Sequence, residues 1–354
     1  MYPRVIVNVR HMIHNAKKIK QLAPEGMHFS LVAKVLHGQT EILTPVLEQA
    51  EITDIADAYV RNLKTYKDLP VTKWLIRVPM MCELEDVVSY VDVCFNSELS
   101  TIRELNATAA KVGKIQKIVL MYELGDIREG CSKEELFSII KECLSMSNIE
   151  VFGIAANLSC FGGVIHTVDN MTEIRDLAKE IETTFHIKLP AVSCPNSSAI
   201  DMLEGKTIPE GVNYLRMGEA IWCGYNPSYD KPIPGFYQDT VTLQAQIVEI
   251  KEKASVPRGI LSMDSSGHTP EFEDKGIRKR ALVAIGKQDV DIASLLPHDK
   301  QMEVLGGCSD YTLLDITDCD KAYKVGDIVE FTLRYFSVLR AMSSDFVEKV
   351  IISE

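Results

Sequence analysis

Apolar residues recur along this chain as short runs separated by longer stretches of mixed character. Strand-like runs fall near residues 31–35, 53–57, 73–78, 91–95, 117–121, 151–156, 190–194 and 212–217. Between them the apolar positions take helical spacing. Leu99, Ile102, Leu105, Ala109 and Val112 form one stripe, with Ser97 placed to cap it. Leu136, Ile139, Ile140 and Leu144 form a second behind a capping box of Ser132 and Glu135, and Met171, Ile174, Leu177, Ala178 and Ile181 form a third. Eight alternations of strand and helix predict an α/β fold, a closed parallel (β/α)8 barrel in preference to an open doubly wound sheet.

The flanks differ. Val5, Ile6, Val7 and Val9 predict a short strand, followed over 11–22 by helical spacing at Ile13, Ala16 and Ile19. Past Tyr225 the residues Pro227, Pro232, Pro234 and Gly235 read as a linker, after which helical periodicity gives way to alternation over 240–250, 280–285, 302–305, 311–316 and 327–335. The last run sets Val329, Phe331, Leu333 and Tyr335 on one face. The expected organisation is a barrel with its N-terminal strand over residues 1–235 and a mostly β domain over 236–354.

Composition narrows the function. A formal charge of −12 over 354 residues disfavours a phosphate-neutralising, nucleic-acid-binding face. The nine cysteines are scattered, odd in number and include no CxxC pair, which argues for reduced thiols over a disulfide framework or zinc ribbon. No run is long enough to span a bilayer and the N-terminus has no signal-peptide pattern, so the expectation is a cytoplasmic protein without a membrane partner.

Candidate chemistry sits where a barrel displays it, at the C-terminal strand ends. Lys34 interrupts the apolar run LVAKVLHG. A strand-end lysine can snorkel to solvent, but a desolvated amine loses its proton and becomes a nucleophile able to form a Schiff base with an aldehyde cofactor. Arg128 and Glu129 follow the fifth run in the loop GDIREG. After the seventh come Cys194, Pro195, Asn196, Ser197 and Ser198, small polar residues opening onto a helix, and after the eighth Arg216, Met217, Gly218 and Glu219. Phosphate sites after strands seven and eight recur in this fold. A lysine and a phosphate cradle in one barrel mouth point to pyridoxal 5'-phosphate, which needs both.

The motifs VAKV (32–35), GDIREG around Arg128, GIAAN (153–157), PNSSA (195–199) and LRMGEA (215–220), with RKRALVAIGKQDVD and VLGGCSDYTLLDIT further on, resemble the alanine racemase family of fold type III pyridoxal-phosphate enzymes, and within it the ornithine racemase branch. The resemblance covers nearly the whole chain. It implies an amino-acid racemase, with ornithine or another basic amino acid as substrate, working as a homodimer in which the β domain completes the partner's active site. Lys34 would hold the cofactor and act as one acid/base. Arg216 would face the pyridine nitrogen, and Asn196, Ser197, Ser198, Gly218 and Glu219 would cradle the phosphate, the last two through backbone amides. Arg128 would contact the cofactor's phenolic oxygen or the substrate carboxylate.

Three positions depart from the family pattern. Asn157 stands where a histidine commonly stacks on the cofactor ring, and His37 and Gly38 replace the tyrosine that usually follows the lysine. The tyrosine that supplies the second proton donor has no counterpart in the segment 253–258. Racemisation needs a donor on each face of a planar carbon, so Ser255, Cys308 and Asp310 become candidates, each with an ordinary structural alternative. Two other readings are a D-3-hydroxy amino acid aldolase or dehydratase, which would need a metal near His298 and Cys308, and a non-catalytic pyridoxal-phosphate homeostasis protein, whose relatives consist of the barrel alone. No metal site is expected: His298 and Cys308 lie ten residues apart.

Overall fold

After β1 (Arg4–Asn8) and α1 (Val9–Leu22), the eight apolar runs become β2 (His28–Val32), β3 (Asp54–Asp57), β4 (Thr72–Leu75), β5 (Val93–Asn96), β6 (Gln116–Met121), β7 (Ile149–Ala155), β8 (Ala191–Ser193) and β9 (Tyr214–Met217). The computed structural model describes residues 1–263, 267 and 269–353. Each of these eight strands runs parallel to its neighbours, in the order β8-β7-β6-β5-β4-β3-β2-β9. The two ends meet where the Asn213 amide donates to the Val192 carbonyl at 3.0 Å and the Arg216 amide to the Pro195 carbonyl at 3.1 Å. The sheet therefore closes into a barrel. Its interior is filled by Val32, Ala56, Trp74, Phe95, Met121 and Tyr214 among others, the large apolar side chains that pack such a lumen.

Helices α2 (Thr40–Ala50), α3 (Val60–Thr65), α4 (Leu84–Tyr90), α5 (Leu99–Lys111), α6 (Lys133–Cys143), α7 (Val168–Phe185), α8 (Ile200–Glu204) and α9 (Glu219–Trp222) alternate with the strands. The three apolar stripes are the buried faces of α5, α6 and α7. Their last members overrun: Val112 and Leu144 sit just past the helix ends and are exposed. Ser132 caps α6 by accepting the Glu135 amide at 3.2 Å. Ser97 does not cap α5, which starts after Glu98 with no side-chain cap. The proline-rich stretch expected as a linker carries a small antiparallel hairpin of β10 (Tyr225–Asn226) and β11 (Lys231–Pro232).

The barrel unit is His11–Tyr237, and a second compact unit combines Met1–Arg10 with Gln238–Glu354. In the second unit β12 (Val241–Ala254), β13 (Ile277–Val283), β14 (Leu295–Pro297), β15 (Glu303–Gly307), β16 (Thr312–Asp315) and β17 (Ile328–Leu333) form an antiparallel sheet ordered β14-β17-β12-β13-β16-β15. A helix, α10 (Tyr335–Ser343), and β18 (Glu348–Ile352) follow. Two expectations change here. The N-terminal strand, grouped by sequence with the barrel, pairs instead with β12, Val5 opposite Leu243 and Val7 opposite Val241, and with β18 in parallel. The run carrying Val329, Phe331 and Leu333 stops before Tyr335, which begins α10 because Val338, Ala341 and Met342 bury at helical spacing. Among the described residues no helix is long and apolar enough to cross a membrane.

Candidate active site

β2 and β9 are neighbours, with Ser30 opposite Arg216 and Leu31 opposite Met217, so their continuations leave the barrel side by side. Lys34 is two residues past β2, where it opens a single 3-10 turn (Lys34–Leu36). Burial of Val35 and Leu36 drives that turn, and His37, in the left-handed conformation, closes it by donating its amide to the Lys34 carbonyl at 3.3 Å. Lys34 itself is half-buried. The turn is pinned on both sides: the Ala33 amide donates to the Ala56 carbonyl at 2.7 Å, and the Trp222 indole N–H to the Val32 carbonyl at 2.6 Å.

Arg216 follows the interior residue Tyr214 by two positions, which keeps it on the inward side of β9. It is 5% exposed. Its Nη2 donates to the carbonyls of Ala156 at 2.7 Å and Cys194 at 3.4 Å, and the guanidinium lies 5.2 Å over the Phe95 ring. Burial lowers its pKa to about 10, so it stays charged at neutral pH. The recorded acceptors are neutral carbonyls, and a buried cation so placed favours an electron-rich partner.

Gly218 approaches β2 so closely that a Cβ would stand 3.2 Å from the Val32 Cβ. Beside it, the buried Ser197 Oγ accepts the amides of Gly218 and Ala220, both at 3.1 Å. A hydroxyl has two acceptor sites and one proton; with both sites filled, Ser197 can only donate further, which complements an anion's oxygen. Asn196 braces the same turn by accepting the Ser198 amide at 2.9 Å and donating to the Leu158 carbonyl at 2.9 Å. The Gly218 and Ala220 amides thus meet at Ser197, on either side of Glu219, which opens α9.

The loops after β6 and β7 are tied together. Asp126, buried, accepts the amides of Cys160 at 3.3 Å and Phe161 at 2.9 Å. Gly130 turns with a positive φ of 145° where a Cβ would strike the Glu123 amide at 2.6 Å, so only glycine fits. Between them Arg128 pairs with the neighbouring Glu129 and donates from Nη1 to the Cys160 Sγ at 3.0 Å. Asn157, two residues past β7, buries its Nδ2 with no hydrogen-bond partner. An orphaned donor is costly unless a ligand satisfies it. Together with the donor-only Ser197 and the buried Arg216, it fits a ligand bearing an anionic end and acceptor atoms, as pyridoxal phosphate does.

Two residues of this region escaped the sequence reading. His166, just before the Thr167 cap of α7, is 8% exposed, sets Nε2 against the Cys194 carbonyl at 3.3 Å and leaves Nδ1 buried without a partner. Burial, with the nearby Arg216 charge, lowers its pKa to about 4. Asp57 ends β3 completely buried, and burial raises its pKa to about 6. Its position inside the apolar run DIADA was the available signal.

Ser255 and Cys308 belong to the other unit. The Ser255 hydroxyl accepts the Lys275 amide at 2.6 Å and donates to Asp274 Oδ1 at 3.3 Å, beside the paired ends of β12 and β13. Cys308, half-buried, opens the turn between β15 and β16, its amide donating to the Tyr311 carbonyl at 3.0 Å. Asp310, in the same turn, accepts the Ser309 hydroxyl at 2.8 Å. His298 contacts Glu330 at 3.3 Å and Thr332 at 3.1 Å, and among the described residues no cluster of three or more His, Cys, Asp or Glu could hold a metal.

Residues 7–227 match the family model described as "Alanine racemase, N-terminal domain". The chain is 42% identical to an ornithine racemase of Acetoanaerobium sticklandii over 99% of both chains. It is 35% identical to a lysine racemase of Thermotoga maritima over 99% of this chain and 98% of that one. Among solved structures, alanine racemase from Bartonella henselae with covalently bound pyridoxal phosphate superimposes with a TM-score of 0.73 at 17% identity, over 99% of both chains, a likeness of fold. The chain therefore belongs to the alanine racemase family, and with it to the pyridoxal-phosphate-dependent amino-acid racemases.

Proposed function

We propose that this racemase interconverts the L and D forms of a free basic amino acid, ornithine foremost, in the cytoplasm and as a homodimer with shared active sites. One observation carries the assignment of residues: adjacent strands β2 and β9 bring the Lys34 turn beside the turn of Arg216, Met217 and Gly218. The full-length identity to an ornithine racemase supports the substrate.

Pyridoxal phosphate, when bound, supplies the electron sink that makes the substrate's Cα proton removable. Lys34 would hold it covalently and move a proton at its Nζ on one face of the substrate carbon. Arg216, fixed by the Ala156 and Cys194 carbonyls, would present N–H to the ring nitrogen. A permanent donor there keeps that nitrogen unprotonated, weakens the sink and favours prompt return of the proton to carbon. Ser197 and Ser198, with Asn196 bracing their turn and Gly218 and Glu219 at the start of α9, would hold the phosphate. Asn157 would donate its unpartnered Nδ2 to the cofactor, and Arg128 would meet the substrate carboxylate, exchanging its pairing with Glu129. In the proposed dimer the second acid/base would come from the β domain of the second copy, and of its candidates we choose Cys308, because Ser255 is already engaged by the Lys275 amide as a turn residue.

The experiment is to incubate the purified holoenzyme with single L-amino acids in deuterated water, following Cα exchange by NMR and enantiomer ratio by chiral chromatography. Ornithine should exchange and racemise fastest, lysine next, alanine and serine slowly. Faster turnover of alanine than of ornithine would overturn the substrate assignment.

A further inference from the structure

Ala56 faces the barrel interior, so Asp57, one residue on, points away from the axis into the layer beneath α3. There the carboxylate accepts the Tyr59 amide at 2.8 Å and the Asn62 Nδ2 at 3.2 and 3.3 Å. These recorded donors are neutral. Fully burying a carboxylate on such donors is expensive, and an asparagine or serine would serve the Tyr59 turn as well. What distinguishes a carboxylate here is its neighbour. The β2 continuation crosses beside the end of β3, held by the Ala33 to Ala56 hydrogen bond, and Lys34 follows directly. The Lys34 charge acts on Asp57, drawing down a pKa that burial pushes up to about 6. On the other flank stands Tyr66, completely buried, its ionisation pushed upward by burial and by the charge of Asp57.

We propose that Asp57 is a positioning residue for racemisation, a buried charge partner of Lys34 that favours the protonated form of the nitrogen Lys34 carries. The inference rests on the reading above that Lys34 bears the cofactor. It explains why α3 is built around the turn: Asn62 holds the carboxylate, while the next turn of the helix brings Thr65 Oγ1 to the Gly38 carbonyl at 3.1 Å, fixing the far end of the Lys34 loop. Charged and titratable groups stand on the elements packed around Asp57. The Lys34 turn contributes Lys34 and His37, and α3 with its C-terminal end contributes Arg61 and Tyr66. His37 and Arg61 face one another, Nε2 to Nη2 at 3.3 Å, and Ile76, just past β4, donates its amide to the Asp57 backbone carbonyl at 2.9 Å.

The test uses the holoenzyme and two readouts other than turnover. Borohydride reduction followed by peptide mapping identifies the lysine that carries the cofactor, and a spectrophotometric pH titration of the cofactor band gives the protonation midpoint of the attached nitrogen. In Asp57→Asn that midpoint should fall by about one pH unit or more, the loss of one nearby opposite charge. In Asn62→Ala, which leaves the carboxylate less well held, it should fall in the same direction by less. Midpoints matching the unmodified protein in both variants, with the label still on Lys34, overturn the proposal while leaving the cofactor assignment intact. A label on a different lysine overturns the cofactor assignment and the proposal with it. Should Asp57→Asn fail to fold, Asn62→Ala decides alone, an unchanged midpoint counting against the proposal.

Discussion

The Nη2 of Arg216, at the end of β9, donates to the Ala156 carbonyl 2.7 Å away, just past β7 and two strands around the barrel. One side chain thereby fixes the spacing of two strand continuations and is itself fixed. The orientation of the guanidinium is set by the fold before any ligand arrives.

Replacing Arg216 therefore affects stability and chemistry together. Arg216→Met leaves the Ala156 carbonyl buried and unsatisfied, a cost of about 1–3 kcal/mol, to be read as a lowered urea midpoint of the apo-protein. Racemisation should fall at least about tenfold, in line with loss of a charge-assisted hydrogen bond. Arg216→Lys keeps the charge but not the planar fork. It should recover stability only in part and activity poorly.

Ser197 also ties cofactor binding to the fold. Its hydroxyl gathers the Gly218 and Ala220 amides and has only its own proton left to give. In Ser197→Ala two buried amides lose their acceptor and the donor disappears. Cofactor affinity should drop about tenfold or more, the equivalent of about 1.4 kcal/mol, measured by fluorescence titration of the apo-protein. An unchanged affinity would remove Ser197 from the phosphate site.

Much of this was legible in the sequence. Eight strand-like runs alternating with helical stripes point to a parallel sheet, and each strand of the barrel overlaps one of them. Partner choice was not legible: the alternation of Val5 and Val7 suits any half-covered sheet, and only the distant register with Leu243 and Val241 assigns β1 to the β unit. The site divides the same way. Lys34, Ser197 and Arg216 announce themselves by residue type at a strand end. His166 and Asp57 do not, because what makes them unusual is burial, with the Cys194 carbonyl and the Arg216 charge near His166 and the Lys34 charge near Asp57, surroundings that only the folded chain assembles.

Those two buried groups oppose each other in the pH dependence of stability. The pKa of Asp57 is raised in the fold from its ordinary 3.8 to about 6, so its contribution is present below 3.8 and is lost as pH rises through 6. That of His166 is lowered from 6.5 to about 4, so its contribution is present above 6.5 and is lost as pH falls through 4. Each shift is worth on the order of 3 kcal/mol, and between pH 4 and 6 they nearly cancel. Removing one exposes the other. Asp57→Asn should grow more stable with rising pH across that window, and His166→Gln should grow less stable, in urea unfolding at pH 4.5 and 6.0. Parallel profiles for the two variants would show that neither group titrates as its burial dictates.

The final prediction concerns the face of the substrate carbon opposite Lys34. With two donors, each enantiomer loses its Cα proton to a different group, so deleting one donor has an asymmetric effect. Cys308→Ala should still exchange the Cα proton of one enantiomer of ornithine with solvent deuterium, through Lys34, but should leave the other enantiomer unexchanged and form no inverted product. Ser255→Ala should behave differently: exchange and inversion persist from both enantiomers, while loss of the acceptor for the Lys275 amide lowers stability by about 1–3 kcal/mol. NMR exchange started separately from L- and D-ornithine distinguishes the two. Symmetric exchange with full inversion in Cys308→Ala, and its collapse to one enantiomer in Ser255→Ala, would reverse the assignment and make the serine of the β12–β13 turn the second acid/base.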